Sequence, residues 1–261
     1  MMGNQRPENP EAIGEPQTPA KRPRKPWPWW LALFDFLAIW FSSGILVVGL
    51  AQAMGASIVD LVFPQIYPSE RAFALYALEL NTWPMVVTWF LVSWVRWKGA
   101  VTEMLPLGPI KVPLSKALIV VVLAVAIVLG GEFLLVQMGL ESIRKDGLYF
   151  AYFMHSPMAA FVLTGGVLAA PAAEELMFRG FLQSALSTTR LGFWGSATII
   201  SLMFGMLHPY SWPGSLLVAA IGIVFSLVLR ITGSLRPCIL THATVNLILL
   251  LVTAATPYQA G

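Results

Sequence analysis

The chain has 261 residues, of which 57% are hydrophobic and only 11% are charged. Soluble proteins contain about 45–50% apolar and about 25% charged residues, so a water-soluble fold could not bury this much apolar surface. The net charge is +3, but the basic residues lie at the ends of the apolar segments and form no patch, which argues against a nucleic-acid partner. The single cysteine, Cys238, has no second cysteine with which to form an intrachain disulfide.

The apolar residues form continuous runs of about 16 to 30 residues, which is the length that a helix needs to cross a bilayer. In lipid every backbone N–H and C=O must be paired within the chain, and continuous runs predict that helices meet this need. We therefore predict an all-α, polytopic transmembrane helical bundle of about seven to eight spans. The predicted spans are residues 29–53, 72–95, 114–138, 157–186, 193–208, 214–230 and 235–255.

The chain divides into three parts by composition. Residues 1–28 are proline-rich and basic, contain little apolar surface, and are predicted to form a disordered cytoplasmic tail. Residues 29–156 hold the N-terminal transmembrane helices. Residues 157–255 hold the transmembrane core in which we expect the chemistry.

Basic residues are distributed unevenly over the two sides of the predicted spans. With the N-terminus in the cytoplasm, only Arg71, Arg144 and Lys145 of the 16 basic residues lie outside. An excess of Lys and Arg in cytoplasmic loops predicts this orientation. We expect an integral protein of the plasma membrane with a cytoplasmic N-terminus.

An ionisable residue at membrane depth is costly, so it indicates a functional site or a specific partner. Asp35, Glu79 and Glu132 are each isolated within an apolar span. We interpret them as residues of a hydrated crevice or of a contact between helices. His155 falls in a predicted outer loop, where we expect it to be solvated.

The fourth predicted span carries two adjacent glutamates and an arginine, in the segment Glu174-Glu175-Leu-Met-Phe-Arg179. Glu175 and Arg179 are four residues apart and are therefore neighbours on one side of a helix. Glu174 is turned about 100° away from Glu175. This spacing predicts that the arginine neutralises one carboxylate, while the other points elsewhere and stays available for chemistry.

Two later spans carry histidines at membrane depth. One span ends in Phe204-Gly-Met-Leu-His208, and the last contains His242-Ala-Thr-Val-Asn246, in which the histidine and the asparagine share one helix face. The structural alternative is a polar network that only joins helices together. Two histidine-bearing helices beside a Glu-Glu pair exceed what such joining requires, so we favour a catalytic site.

The three motifs, in this order, resemble those of the CAAX-protease and bacteriocin-processing intramembrane proteases, the CPBP or Abi family. The family pattern is Glu-Glu-x-x-x-Arg, then Phe-x-x-x-His, then His-x-x-x-Asn, and the resemblance covers about residues 157 to 251. It implies a fold of eight helices and hydrolysis of a peptide bond in or near the membrane.

The resemblance also implies a role for each residue of the motifs. Glu174 and His208 would hold and deprotonate the attacking water, as a general base does. His242 and Asn246 would stabilise the oxyanion that forms. The remaining motif residues would support the site, namely Glu175, Arg179 and Phe204.

The same residues could also hold a metal. Glu174, His208 and His242 are the donor types of a two-histidine, one-carboxylate zinc site with a position left for water. However, the sequence lacks the His-Glu-x-x-His arrangement in which one helix supplies two ligands and the base. Asn246 beside His242 also suits an oxyanion donor better. We therefore expect no cofactor, with zinc as the alternative.

The helix rise of about 1.5 Å per residue gives an expected depth from the inner end of each span. By this rise Glu174 lies about 20 Å deep and His208 about 25 Å deep, whereas His242 lies only about 10 Å deep. Two explanations are open. Either the last helix begins before Leu235, or the helix of Glu174 projects into the cytoplasm.

Three classes of function are compatible with these features. We expect an intramembrane endopeptidase that acts on a membrane or membrane-associated peptide or protein in the lipid bilayer, without a nucleic-acid partner. The alternative is a non-catalytic membrane immunity or regulatory protein that retains the protease fold. A transporter with a proton relay ranks last, because transporters commonly show repeated halves and the sequence shows none.

Overall fold

The computed structural model describes residues 28–53, 79–97, 105–143, 154, 159–208 and 210–255. Within these ranges the chain is helical and forms no β-strand, which confirms the predicted all-α fold. The predicted tail, apart from residue 28, lies outside the described residues, and so do residues 72–78, His155 and residues 157–158.

The described helices follow the predicted spans, with ends that differ by a few residues. They are α1 Trp29–Ala53, α2 Glu79–Trp97, α3 Leu114–Gln137, α4 at residues 159–186, α5 Gly192–Met206, α6 Trp212–Thr232 and α7 Leu235–Ala255. By length and composition, four described segments could each cross a bilayer: Trp29–Leu46, Leu114–Gln137, Trp212–Thr232 and Leu235–Val252.

Helix α3 indicates how the bundle meets lipid. Its outward surface consists of exposed apolar side chains, which include Leu118, Ile119, Val122, Leu123 and Ile127. Its opposite stripe packs towards α6 and α7 and consists of residues three or four apart: Ala117, Val121, Ala124 and Val128. Such an outward apolar face is stable in hydrocarbon and not in water, so the protein is an integral membrane protein.

Helix α4 lies at the centre of the bundle. Its turns Thr164–Ala169 and Glu175–Gln183 are π-helical, and the second of these is buried over its whole length. Ser184 Oγ donates a hydrogen bond to the Arg179 carbonyl at 3.0 Å within this region. π-Helical turns are rare and frequently occur at functional sites.

Helices α1 and α2 cover α4 with aromatic side chains. The ring centroid of Phe36 in α1 lies 5.5 Å from that of Phe178, and the ring centroid of Trp89 in α2 lies 5.8 Å from that of Phe181. Both pairs meet edge to face, the arrangement that aromatic quadrupoles favour. These aromatic contacts hold α4 against α1 and α2.

The three isolated acidic residues lie in different surroundings. Asp35 is buried and forms a salt bridge between α1 and α2 with Arg96, which confirms the predicted contact between helices. Glu132 of α3 is half-buried. Glu79 is the first residue of α2, and its side chain lies outside the described residues.

Helices α5 and α6 approach each other closely because small residues line their contact. A Cβ added to Gly205 would overlap the carbonyl oxygen of Ser215 and would lie 2.8 Å from Ala219 N. A Cβ added to Gly222 would lie 2.9 Å from Ser201 Oγ. Small residues at membrane-helix interfaces let backbones approach in this way.

We predict that Gly205→Ala lowers the free energy of unfolding by about 1–3 kcal/mol, because backbone atoms cannot yield to the added methyl group. Gly130→Ala in α3 is the matched control, since nothing lies within 4 Å of the Cβ that it adds. Thermal denaturation of the purified proteins measures both effects. A Gly205→Ala protein that melts like wild type would contradict the close contact of α5 and α6.

Candidate active site

Glu175 is a fully buried carboxylate at the centre of the bundle. Its Oε1 accepts hydrogen bonds from Arg179 Nη1 at 3.0 Å and from His242 Nδ1 at 2.9 Å. Its Oε2 accepts a hydrogen bond from Cys238 Sγ at 3.0 Å. A buried charge is strongly destabilising unless it is paired and hydrogen-bonded, so these donors from α4 and α7 are what allow Glu175 to be buried.

Arg179 forms the salt bridge with Glu175 that the spacing of the two residues predicts, and both side chains are fully buried. Its guanidinium carbon lies 4.3 Å from the ring centre of Phe204 and 5.4 Å from that of Phe225. Among the described residues, Nε and Nη2 have no hydrogen-bond partner. The electron-rich faces of the two rings therefore stabilise the part of the cation that Glu175 does not reach.

Glu174 lies in different surroundings from Glu175, although the two are adjacent in sequence. Its side chain is 21% exposed, and its Oε2 lies 3.7 Å from Nε2 of His242, which is beyond hydrogen-bond distance. An ionised carboxylate has several acceptor sites, so Glu174 can accept from a water molecule or a substrate. As predicted, Glu175 is paired with Arg179, whereas Glu174 is partly exposed and points away from that pair.

His242 lies between the two carboxylates and is buried. Its Nδ1 contacts Glu175, and its Nε2 faces Glu174. The imidazole stacks on Phe225 with a centroid distance of 4.6 Å and an interplanar angle of 28°. The ring is therefore held both at its edge and on its face.

The expected difference in depth between His242 and Glu174 is not observed. The last helix begins at Leu235, as predicted, yet His242 reaches both glutamates. A Cβ added to Gly180 would lie 2.7 Å from Leu235 Cδ1, so α7 begins beside the last third of α4 and not at its end. Glu174 lies about six residues before Gly180 in α4, and His242 lies about seven residues after Leu235 in α7. At about 1.5 Å per residue these two distances are similar, so the two side chains reach the same level. An earlier start of the last helix is thus excluded, and α4 continues past the level at which α7 begins.

His208 follows the end of α5 and is tied to Phe204. Its Nδ1 lies 2.7 Å from the Phe204 carbonyl oxygen, and its ring centroid lies 4.7 Å from that of Phe204. The Phe204 ring also approaches the imidazole of His242, at 6.0 Å. Within the described part of the chain, the contacts of His208 are with Phe204 and Tyr210 and not with Glu174.

Asn246 lies one turn beyond His242 on α7. Its Nδ2 donates a hydrogen bond to the Gly166 carbonyl oxygen at 2.8 Å. Gly166 belongs to the first π-helical turn of α4. This bond fixes the amide of Asn246 against α4 and leaves its second hydrogen for another acceptor.

Two residues of the site are missing from the sequence-based prediction. Cys238 precedes His242 by four residues and therefore shares the face of α7 that carries His242 and Asn246, a spacing that could have revealed it. Phe225 shows no such signal, because an apolar residue in an apolar helix is indistinguishable from its neighbours.

The proposed zinc ligands do not form a complete set. Glu174 and His242 approach each other at 3.7 Å. Among the described residues, however, no group of three or more His, Cys, Asp or Glu side chains is arranged to hold a metal ion, and His208 does not join the pair. The described residues therefore do not fit the zinc site.

We predict that Arg179→Ala lowers the amount of folded protein, because it leaves Glu175 as an unpaired buried charge. Removing one partner of a buried pair costs about 3–5 kcal/mol. The double variant Glu175→Gln with Arg179→Met should recover part of this loss. Size-exclusion chromatography and thermal denaturation measure the recovery, and a double variant no better folded than Arg179→Ala would show that the pairing is not what stabilises α4.

Comparison with known proteins bears on the same part of the chain. The family model described as type II CAAX prenyl endopeptidase Rce1-like matches residues 155–248, a segment that includes every residue of the site. No curated protein and no solved structure matches the chain. The resemblance inferred from the motifs is confirmed, and the match supports an intramembrane endopeptidase at the level of the family. Residues 155–248 are therefore similar to the Rce1-like family of CAAX proteases.

Proposed function

We propose that this protein is an intramembrane endopeptidase that hydrolyses a peptide bond with a water molecule activated by Glu174 and His208. The observation that carries the proposal is that the adjacent carboxylates of Glu174 and Glu175 differ in hydrogen bonding and in exposure. Both oxygens of Glu175 accept hydrogen bonds in the buried core. Glu174 is partly exposed and meets His242 only at 3.7 Å. One carboxylate is fixed, and its neighbour is available to take a proton.

His208 can accept a hydrogen bond from the same water through Nε2. A carbonyl oxygen only accepts, so the 2.7 Å contact with the Phe204 carbonyl requires the hydrogen on Nδ1 of His208. In the neutral ring Nε2 then carries the lone pair. The ring of Phe204 packs against the imidazole and limits its rotation.

In the proposed reaction the water oxygen attacks the scissile carbonyl carbon while Glu174 takes one water proton. The carbonyl oxygen becomes an oxyanion in a tetrahedral intermediate. The intermediate then collapses with cleavage of the C–N bond, and Glu174 gives its proton to the departing nitrogen. The products are a carboxyl group and an amine, and Glu174 returns to its starting state.

His242 and Asn246 are the proposed donors to the oxyanion, because donors aimed at developing charge contribute strongly to catalysis. Asn246 has one amide hydrogen on Gly166 and a second one to donate. His242 already donates from Nδ1 to Glu175, so donation from Nε2 needs a second proton on the ring.

The proposed substrate is a membrane or membrane-associated peptide or protein. The description of the matched family, a CAAX prenyl endopeptidase, makes a prenylated C-terminal peptide the first substrate to test.

We also propose a cytoplasmic N-terminus in the plasma membrane. Support comes from one end of the bundle, where the Lys111 N–H donates to the Thr232 carbonyl at 2.8 Å and joins the start of α3 to the end of α6. Arg230 stacks on Phe193 there, at 4.2 Å, beside the loop between α4 and α5. Exposed cations gather at this end, as expected of a cytoplasmic side: Lys111, Lys116, Arg190, Arg230 and Arg236.

We predict that Glu174→Ala and His208→Ala each lower turnover by at least about 100-fold, the range expected for loss of acid–base catalysis. Expression and membrane insertion should stay near wild type, because neither side chain belongs to the buried ion pair. Cleavage of a farnesylated CAAX peptide by purified protein in detergent measures turnover. The matched control is Glu132→Ala, which removes a half-buried carboxylate of α3 and should keep wild-type activity.

Cleavage by Glu174→Ala at the wild-type rate would overturn this mechanism. A second experiment detects substrates other than prenylated peptides. It compares, by proteomics, the membrane peptides of cells that carry the wild-type protein with those of cells that carry Glu174→Ala. Identical peptide profiles in the two strains would favour the non-catalytic immunity or regulatory protein.

We predict that the purified protein is active without stoichiometric zinc. The physical reason is that Glu174 and His242 approach each other at 3.7 Å, but among the described residues no third His, Cys, Asp or Glu side chain completes a metal site with them. Elemental analysis of active protein and assays after chelation measure the dependence. One zinc per active chain, lost with activity on chelation and restored by zinc, would make His242 a ligand and reverse this prediction.

A further inference from the structure

We infer that Glu175 is a positioning residue that keeps a hydrogen on Nδ1 of His242 and fixes the orientation of its ring, in addition to its salt bridge with Arg179. The catalytic consequence of this inference rests on the proposed hydrolysis. The inference itself stands on a buried hydrogen-bond network of four side chains from α4 and α7: Glu175, Arg179, Cys238 and His242.

The hydrogen on Nδ1 of His242 follows from the chemistry of its partner. Glu175 is ion-paired with Arg179 at 3.0 Å, and an ionised carboxylate has acceptor sites only. The 2.9 Å contact between Glu175 and His242 therefore requires a hydrogen on Nδ1. Nε2 is left on the side of Glu174, 3.7 Å from its Oε2.

The orientation of His242 is fixed by two contacts at once. The hydrogen bond to Glu175 holds the Nδ1 edge, and Phe225 stacks on the ring face at 4.6 Å. A rotation of the imidazole about its bond to Cβ would break the hydrogen bond and the stack together. Nε2 is consequently the one ring nitrogen that can act on the side of Glu174.

Cys238 completes the network by holding the other oxygen of Glu175. Its Sγ lies 3.0 Å from Oε2 and 3.2 Å from the carbonyl oxygen of Phe225, and the ionised carboxylate is the stronger acceptor. With Oε2 held by Cys238 and Oε1 by Arg179, the carboxylate cannot rotate away from His242. The thiol acts here as a hydrogen-bond donor that orients Glu175.

A histidine that is oriented at one nitrogen by a carboxylate and works with the other is a recurring arrangement in enzymes. In this protein the orienting carboxylate is the residue next to the general base in sequence. Glu175 would thus hold Nδ1 of the imidazole, while Nε2 faces the side on which Glu174 lies.

A spectroscopic test of the network needs no substrate. Cys238 is the only cysteine of the chain, so the infrared S–H stretching band of the purified protein belongs to it, and Cys238→Ala should abolish this band. We expect the band at a lower wavenumber than that of a free thiol, and we expect it to move towards the free-thiol position in Glu175→Gln. A wild-type band at the free-thiol position would overturn the network.

A kinetic test uses the farnesylated CAAX peptide and separates kcat from KM. Glu175→Gln should lower kcat by about 10- to 100-fold, the effect of losing a partner that orients an active-site histidine. Cys238→Ala should lower kcat by about 2- to 10-fold, as expected for one lost hydrogen bond. KM should change little in both variants. Cys238→Ser should restore most of the loss, because the hydroxyl keeps a donor.

The control for the kinetic test is Thr241→Ala, which removes a buried hydroxyl of α7 whose hydrogen bond goes to Pro237 in the same helix. It should keep the wild-type kcat. If Cys238→Ala and Glu175→Gln are both folded and both keep the wild-type kcat, the positioning role is refuted. If the infrared band shifts as expected while Glu174→Ala still cleaves, the network stands and the proposed hydrolysis fails.

Discussion

The buried ion pair of Glu175 and Arg179 is the constraint on which the rest of the structure depends. Two charges removed from water are costly unless their neighbours compensate for the lost hydration, by hydrogen bonds or by aromatic faces. The second oxygen of Glu175 and the free face of Arg179 therefore require particular neighbours. Helix α7 supplies His242 and Cys238 to the carboxylate, and Phe225 of α6 covers the guanidinium. The pair thus determines how these helices assemble around α4.

The same pair creates the chemical difference between two adjacent glutamates. Consecutive residues of a helix point in directions about 100° apart, so a helix that turns Glu175 into the core turns Glu174 towards its margin. Glu175 has both oxygens bound, whereas Glu174 keeps acceptor sites beside Nε2 of His242. A charge-neutral core and an available carboxylate are therefore two results of one helix orientation. In the proposed protease, the buried Glu175–Arg179 pair holds the helix that presents Glu174 to the reacting groups.

Close helix packing makes room for the buried cation. Gly222 lies so near Arg179 that an added Cβ would be 2.8 Å from Nη2, and Gly205 brings α5 equally close to α6. In lipid, contacts between helices depend on close packing and on polar contacts rather than on the hydrophobic effect. The glycines of α5 and α6 and the polar centre of α4 therefore stabilise the bundle together, and a larger side chain at Gly222 would displace the guanidinium.

The sequence by itself determined the features that depend on neighbours along the chain. Apolar runs gave the helices and the membrane environment, and the i, i+4 spacing gave the contact of Glu175 with Arg179. Only the tertiary structure decided how far each helix is shifted along its axis relative to the next. That shift brings His242 beside the two glutamates, although its distance from the start of its own helix made it look too shallow. Such shifts arise from contacts between distant residues, such as Leu235 against Gly180, and no local pattern encodes them.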